Sequence, residues 1–395
     1  MENKIQSIYR KLKATAVFRS VLDGDVFRTF AVYCNRKNMD VAERIDAYAE
    51  FVQSIYNDRG VLSDLVKRLV FEDENVYIKS FASKSTVNAN IVASAKKELE
   101  TFAAFGALSG SDFALDMGVQ LSDIPLFDSK REDLYSLFME RMASIDKYGY
   151  GIFSSHSMFR LSDDKKIEPI ISADKTSMDT FVGYELERGK VVENTEAFLE
   201  GRPAANTLLC GDAGTGKSST VKAIVNAYYS KGLRLIELRK DQLSFLPEIM
   251  GRISENPLKF IIFIDDLSFN KSDDNFSMLK AALEGSASAR ADNALIYATS
   301  NRRHIVRENF EDRDGSEVHR NDAMQEKLSL SERFGLVVYF GKPNKQLYLE
   351  IVSELAKRAG IELDSETLAI RAEEFALRRG NRSARCAEQF IKSLT

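Results

Sequence analysis

A glycine-rich octapeptide near the middle of the chain has the residue types of a phosphate-binding loop. Residues 211–218 read Gly-Asp-Ala-Gly-Thr-Gly-Lys-Ser, which fits the spacing G-x-x-x-x-G-K-[ST]. Glycines let successive backbone N–H groups approach a phosphate, and the dipole of the following helix stabilises the same charge. In this pattern Lys217 supplies a positive charge to the β- and γ-phosphates, and Ser218 offers a hydroxyl to Mg²⁺. The octapeptide predicts a site for a nucleoside triphosphate.

Two carboxylates follow a predicted strand downstream of this loop. Residues 260–264 are a continuous apolar run, typical of a central strand covered on both faces, and Asp265 and Asp266 come directly after it. Ligands bind at this edge of open α/β sheets. We expect Asp265 to hold Mg²⁺ and Asp266 to orient the attacking water. The alternative is an acidic strand end without a metal. Another predicted strand, 294–299, leads to Asn301, whose amide is placed to contact the γ-phosphate or the water.

The elements that position these residues follow from hydrophobic spacing, which divides the chain into three parts. Residues 1–165 carry apolar stripes at helical spacing and predict a mostly helical N-terminal domain. Residues 166–342 alternate strand and helix, which predicts a parallel sheet covered on both faces. Residues 343–395 predict a smaller helical unit. The polar stretch 161–176 is the predicted linker.

The predicted sheet has five strands, and the remaining stretches of the middle part are helices or loops. A charged segment, 302–327, reads as a solvated surface insertion. Phe245 could belong to a pore loop or, as we favour, to helix packing. The predicted strands are 207–210, 233–238, 260–264, 294–299 and 336–340, and the predicted helices between them are 219–229, 242–253 and 275–283.

Composition limits the classes of partner and compartment. The formal net charge of -4 argues against a surface that is basic throughout and binds nucleic acid along its length, although a local basic patch stays open. Three cysteines lie far apart, so neither a disulfide framework nor a zinc site is predicted. The first residues lack an apolar signal segment, and no run of about 18 apolar residues occurs. We therefore expect no membrane span and a reducing cytoplasmic location.

The order of these features resembles that of the AAA+ ATPases over residues 175–395. The resemblance implies an α/β AAA+ core with a C-terminal helical lid, in which the octapeptide is Walker A, Asp265-Asp266 is Walker B and Asn301 is sensor 1. It also implies that Val182 and Gly183 lie near the adenine. The nucleotide-binding residues are then Val182, Gly183, Gly211, Asp212, Ala213, Gly214, Thr215, Gly216, Lys217, Ser218 and Ser219.

Two arginines acquire roles through the same resemblance. Arg333 looks like the arginine finger, which reaches the γ-phosphate bound by a neighbouring subunit and so implies a homo-oligomer. The alternative is that Arg333 caps or ion-pairs within its own domain. Arg385 looks like sensor 2 in the lid, with Arg382 as the competing residue.

Several stretches look more closely like an uncharacterised bacterial AAA+ family catalogued as a domain of unknown function. They are Asn194–Leu199, Gly214–Ser219, Ile264–Phe269 and Ala298–His304. One departure from most AAA+ enzymes is Asp266, where Glu is usual; replication initiators and helicase loaders also carry Asp-Asp. Because Asp is one methylene shorter, we expect slow but real hydrolysis.

These features lead to one main hypothesis of function and several alternatives. The main hypothesis is an ATPase that uses Mg-ATP to remodel or load a macromolecular partner, either protein or nucleic acid, gripped by residues 1–165. An ATP-gated adaptor with slow hydrolysis is the first alternative. A processive threading motor is another, and a P-loop kinase would transfer the γ-phosphoryl group to an acceptor other than water.

Overall fold

The computed structural model describes residues 4–172, 176–267, 278–280, 283, 291–301 and 333–394. The chain divides into two compact units, Met1–Ser155 and His156–Thr395. Within the described residues, no helix is long and apolar enough to cross a membrane. The predicted helix 275–283 lies mostly outside the described residues, and the charged segment 302–327 lies wholly outside them.

The first unit is helical, as the apolar stripes predicted. Its core is rich in aromatic side chains, and the rings of Phe30 and Phe105 lie 4.7 Å apart. Both side chains are fully buried. The helices are α1 (Lys4–Lys13), α2 (Asp25–Asn35), α3 (Val41–Tyr56), α4 (Leu62–Phe71), α5 (Val76–Ser83), α6 (Ala89–Gly106), α7 (Gly110–Met117), α8 (Leu134–Ala143) and α9 (Ile145–Tyr148).

A buried carboxylate ties the turn after α1 to α6. Glu98 is 7% exposed and accepts hydrogen bonds from the backbone N–H groups of Ala16, Val17 and Phe18 at 2.9–3.1 Å. Backbone N–H groups outside helices and strands have no regular partner, and burying them without acceptors would cost free energy. Glu98 therefore has a structural role.

The second unit is built on a seven-stranded sheet in the order β2-β1-β4-β5-β6-β3-β7. Every neighbouring pair is parallel except β1 and β2. All five predicted strands are present, and their parallel arrangement is confirmed. The strands are β1 (Met158–Leu161), β2 (Ile167–Pro169), β3 (Thr207–Gly211), β4 (Leu233–Leu238), β5 (Lys259–Ile264), β6 (Ala294–Ser300) and β7 (Leu336–Phe340).

The two strands that sequence reasoning missed, β1 and β2, replace part of the predicted linker. Met158 and Phe159 are buried where β1 pairs with β4, and β2 covers the outer edge of β1. The predicted domain boundary at residue 165 lies in the turn between these strands, within the second compact unit. Both strands are short and flank the polar turn 162–166, so their alternation is too brief to stand out from a loop.

The core of the sheet lies around β5. All five residues from Phe260 to Ile264 are fully buried. Because successive side chains of a strand point to opposite faces, this burial means that both faces of the sheet are covered. Helices α10 (Glu185–Leu199), α11 (Lys217–Tyr228) and α12 (Leu246–Ile253) belong to this unit. At the start of α12, Leu246 is 1% exposed, whereas Phe245 is half-buried and has the Lys165 Nζ 4.7 Å from its ring centroid.

Three further helices form the predicted C-terminal helical unit, with a core of their own around Tyr348, Ala372 and Phe390. Each helix begins at a residue whose side chain accepts a backbone N–H, as expected of N-caps. The cap residues are Asn344, Asp364 and Ser383. The helices are α13 (Lys345–Arg358), α14 (Ser365–Arg379) and α15 (Ala384–Lys392).

Candidate nucleotide-binding site

The glycine-rich loop connects the end of β3 to the start of α11, so the N-terminus of that helix faces the loop. Gly211 has a φ of 137°, and a Cβ added there would lie 1.9 Å from the carbonyl oxygen of Phe340. Gly214 and Gly216 have φ values of 78° and 87°. Only glycine adopts all three conformations without strain or collision, which explains the spacing seen in the sequence.

Lys217 lies along the loop and is held by three acceptors. Its Nζ donates to the carbonyl oxygens of Gly211 at 3.0 Å and Asp212 at 2.7 Å, and to Oδ1 of Asn301 at 3.0 Å. Burial lowers the pKa of Lys217, while the negative charges of Asp212, Asp265 and Asp266 act in the opposite direction. The positive charge is therefore positioned at the loop.

The two carboxylates after β5 are held by side chains at the end of the neighbouring strand β6 and directly after it. The hydroxyl of Thr299 donates to Oδ1 of Asp265, and the same hydroxyl oxygen accepts the backbone N–H of Asp266 at 2.9 Å. The Nδ2 of Asn301 donates to Oδ1 of Asp266 at 2.8 Å. Asp266 has a φ of 52°, a conformation that a non-glycine residue adopts at some cost. One threonine and one asparagine thus orient both carboxylates.

Thr299 is the contact residue that sequence reasoning left out of the site. It is 2% exposed and polar, within a strand whose neighbours are mostly apolar. The register supplied the missing signal: Ile264 pairs with Ala298, so the residues that follow them, Asp265 and Thr299, come side by side. This register cannot be read from the sequence alone because a parallel pair has no tight turn to set it.

Ser218 and Asp265, the predicted magnesium ligands, are in direct contact. The Ser218 hydroxyl donates to Oδ1 of Asp265 at 2.6 Å. Mg²⁺ takes oxygen ligands and commonly combines one or two carboxylates with water and substrate phosphates. The hydroxyl and carboxylate at the phosphate loop fit that ligand set. Among the described residues, no group of three or more His, Cys, Asp or Glu side chains is placed to hold a metal ion.

A cavity of about 450 Å³ brings the loop, the carboxylates and the helical unit together. This volume is in the range of small-molecule sites. Val182 lines the cavity, whereas Gly183 lies beneath the helical unit, where an added Cβ would be 2.3 Å from Cδ1 of Leu347. The lining includes Phe181, Val182, Tyr184, Arg188, Ala213, Gly214, Thr215, Gly216, Lys217, Ser218, Ser219, Asp265, Asp266, Thr299, Asn301, Ile351, Leu355, Ala384, Arg385 and Glu388.

The two candidate sensor-2 arginines differ in their surroundings. Arg385 lines the cavity, and its backbone N–H donates to the carbonyl oxygen of Gly214 at 3.3 Å. Arg382 instead donates to both carboxylate oxygens of Glu373, at 2.9 and 2.8 Å, and this hydrogen bonding raises the pKa of Arg382. Of the two candidates, Arg385 is therefore the one that lines the cavity.

Arg333, the predicted arginine finger, lies just before β7 and does not line the cavity of its own chain. It is half-buried, and Phe334 beside it is 2% exposed. The structure therefore brings together the loop, both carboxylates, Asn301, Val182 and Arg385, but leaves Arg333 outside this group.

Residues 154–395 match the family described as "Protein of unknown function (DUF815)". The chain belongs to the DUF815 family. Its fold is the predicted α/β core with a mostly parallel sheet, a C-terminal helical unit and a helical N-terminal region, except that seven strands form the sheet instead of five. No protein with a curated description matches this DUF815 chain.

Solved structures of Thermotoga maritima RuvB are similar to this DUF815 protein at low sequence identity. A RuvB point mutant is 16% identical with a TM-score of 0.37, over 55% of this chain and 63% of that chain. The structure titled as the RuvB Holliday junction branch migration motor is 14% identical with a TM-score of 0.34, over 55% of this chain and 72% of that chain. The match with the first of these RuvB structures covers 63% of the RuvB chain, which is less than two thirds of its length.

Proposed function

We propose that this DUF815 protein binds Mg-ATP and hydrolyses it to ADP and phosphate in order to remodel or load a macromolecular partner. The observation that carries the proposal is one hydrogen-bonded network in one cavity. In it, Asn301 accepts from Lys217 and donates to Asp266, and Asp265 accepts from Ser218. A phosphate-binding cation, a water-orienting carboxylate and a magnesium-binding pair are the parts that phosphoryl transfer to water requires.

Each side chain has a defined task in this mechanism. Lys217 exchanges its carbonyl acceptors for phosphate oxygens and balances their charge. Bound Mg²⁺, held through Ser218 and Asp265, supplies further charge stabilisation. Asp266 accepts a hydrogen bond from the attacking water, and Asn301 keeps that carboxylate oriented through the 2.8 Å contact. Arg385 contacts the γ-phosphate from the C-terminal helical unit, so the position of that unit depends on whether the γ-phosphate is present.

The adaptor alternative rests on Asp266. An aspartate is one methylene shorter than the usual glutamate, so its carboxylate holds the attacking water less well. This slows hydrolysis, and an ATP-bound state then persists long enough to recruit another protein. A kinase is the third candidate; it would leave ADP and a phosphorylated acceptor in place of free phosphate.

The proposed site is completed between subunits of a homo-oligomer located in the cytoplasm. Arg333 does not line the cavity of its own chain, which is compatible with a role at a neighbour's γ-phosphate. Residues 1–165 are the proposed partner-binding domain, residues 166–342 the nucleotide-binding domain and residues 343–395 the lid. The partner is a protein or a nucleic acid.

Steady-state hydrolysis with product analysis tests the proposal. We expect ADP and inorganic phosphate as the only products, no turnover with Asp266→Asn, and unchanged ATP affinity for that variant. Asp241→Asn is a matched control because Asp241 is exposed and outside the cavity. Equal rates for Asp266→Asn and the unaltered protein would remove Asp266 from the proposed role.

A mixing experiment tests the shared site. Arg333→Ala retains an intact loop, and Lys217→Ala retains an intact finger, so neither protein should turn over ATP alone. Mixed subunits should recover part of the activity, because a donor finger then meets an intact loop. No recovery under conditions of assembly would contradict the intersubunit role of Arg333.

The same Asp266→Asn protein, held in the ATP state, should retain its partner in a pull-down. Retention that requires ATP, together with hydrolysis stimulated by the partner in the unaltered protein, would favour remodelling. ATP-dependent retention without any stimulation would favour the adaptor.

A further inference from the structure

A buried arginine at the nucleotide cavity lies outside the set of motif residues. Arg188 is in the first turns of α10 and is 6% exposed. It shares the inner face of that helix with Val191, Thr195 and Phe198, which are also buried. Val191 and Phe198 belong to the core of the sheet. A cationic side chain is unexpected on this buried helix face, because arginine is rarely buried without a partner that compensates its charge.

The guanidinium of Arg188 has no hydrogen bond or ion pair with any residue that the structure describes. Its Cζ lies 4.7 Å from the centroid of the Phe181 ring, and Arg188 lines the 450 Å³ cavity. Arg234, which is 1% exposed, and Arg44, whose side chain is 11% exposed, behave differently. Arg234 donates to the carbonyl oxygens of Tyr229 and Leu233, and Arg44 forms an ion pair with Asp116. Arg188 alone among these three offers its donors to the cavity.

Electrostatics favour an anion as the missing partner. Burial lowers the pKa of Arg188, whereas the negative charges of Glu185 and Glu187 act to raise it. A guanidinium still keeps its charge in proteins, and a buried charge without a hydrogen-bonded partner costs free energy. The five N–H donors of arginine match the geometry of phosphate oxygens.

Phe181 connects Arg188 to the phosphate loop. The Cε1 atom of Phe181 lies 3.9 Å from the position of a Cβ added at Gly216, while the face of the same ring carries the guanidinium. The ring therefore fixes the guanidinium on the side of the cavity where the loop turns into α11. A nucleotide whose phosphates occupy the loop brings anionic oxygens to this part of the cavity.

We propose that Arg188 binds a phosphate oxygen of the nucleotide, as a further cation in the site beside Lys217 and Arg385. This inference rests on the proposed nucleotide-binding function. It assigns affinity to a residue outside the Walker and sensor motifs, and Phe181 acts as the positioning residue for Arg188.

Calorimetric titration with ATP, ADP, AMP and adenosine tests the assignment. Arg188→Met keeps an unbranched apolar stem and removes the guanidinium with its charge, and we expect about tenfold or greater weakening of ATP binding. Lys190→Met is the control, because Lys190 is an exposed cation on the same helix and outside the cavity; its affinity should be unchanged. Adenosine should bind the Arg188→Met and unaltered proteins equally.

Thermal unfolding distinguishes ligand binding from a structural role. Without nucleotide, Arg188→Met should unfold at the same or a higher temperature than the unaltered protein, because it removes an unpaired buried charge. Saturating ATP should then raise its Tm less than it raises that of the unaltered protein. A lower Tm without nucleotide, combined with an undiminished ATP-induced increase, would assign Arg188 to packing and overturn the inference.

The remaining outcomes separate the two proposals. Equal ATP affinity for Arg188→Met and the unaltered protein overturns the role of Arg188 and leaves the proposed function standing. If Arg188→Met loses as much affinity for adenosine as it loses for ATP, Arg188 contacts the base or ribose, and the phosphate assignment is overturned. Failure of the unaltered protein to bind any of the four ligands overturns the proposed function, and this inference falls with it.

Discussion

The carboxylates of the two units differ in burial and in the kind of partner they have: one pair in the first unit is buried, and one pair in the second is exposed at a cavity. In the first unit, Glu98 accepts three backbone N–H groups, and Asp116 is bonded to Arg44 and Tyr33. In the second unit, Asp265 is held by the Thr299 hydroxyl of β6 and Asp266 by the amide of Asn301, and both line a cavity. The first arrangement uses every acceptor inside the core, whereas the second leaves oxygens available to a ligand.

This difference distinguishes carboxylates that stabilise the fold from carboxylates that are available to a bound ligand. Carboxylates paired within a core contribute to folding, and removing one leaves buried donors without partners. Carboxylates oriented at the rim of a cavity are typical of sites in which charge and water must be positioned. The comparison predicts that variants in the first unit change the free energy of unfolding and that variants in the second unit change turnover.

The largest effect should follow from removing the carboxylate charge at Asp266. Asp266→Asn should lower turnover by about 10²-fold or more, because a positioned base contributes about that much to a proton-transfer step. The free energy of unfolding should barely change, since asparagine retains an oxygen for Asn301. Single-turnover hydrolysis and urea unfolding on the same preparation provide both readouts. A large loss of stability with normal turnover would reverse the comparison.

Glu98 should give the opposite result. Glu98→Ala leaves the buried N–H groups of Ala16, Val17 and Phe18 without an acceptor, and we expect a loss of about 3 kcal/mol in the free energy of unfolding. ATP affinity of the folded fraction should be unchanged. Urea unfolding and titration with ATP measure the two effects. Glu100→Ala, an exposed position on the same helix, is the control.

Thr299 sharpens the comparison because its hydroxyl contacts the carboxylate of Asp265 and the backbone N–H of Asp266. Thr299→Val removes that hydroxyl at nearly constant volume, and we expect about tenfold slower turnover because both hydrogen bonds are lost. Thr299→Ser keeps the hydroxyl and should retain most of the activity. If valine and serine lower kcat to the same extent, the methyl packing of Thr299 matters and its hydroxyl does not.

The smallest effect concerns Asp112 in the first unit. Burial acts to raise the pKa of Asp112, but hydrogen bonds from Lys4 and Ser109 outweigh it and lower that pKa below 3.8. A lowered pKa means that Asp112 stabilises the fold at neutral pH and that this contribution disappears as the pH falls through the lowered value. Asp112→Asn should cost about 1 kcal/mol at pH 7, typical of a lost cap. Thermal unfolding from pH 7 down to about pH 2 should show the two proteins converge once the pH is below 3.8; a constant difference would contradict the assignment.

Long-range pairing explains which predictions succeeded. The five core strands were recognisable because each is a continuous apolar run bounded by polar residues, as at 260–264. The short strands β1 and β2 were not, since their four and three residues acquire meaning only beside β4. The sequence does not distinguish Arg188 from the other charged residues of its helix, because its burial beside Phe181 depends on tertiary packing.

By itself, the sequence determined the phosphate loop, the class of fold and the order of the motif residues. These are local properties: glycine conformations, apolar periodicity and the residues that follow each strand. Only the tertiary structure decided that Thr299 contacts Asp265, that Arg385 and not Arg382 faces the cavity, and that Arg188 is buried there. Those facts depend on strand register and on how the lid packs, which bring together side chains far apart in the chain and are set by the whole core.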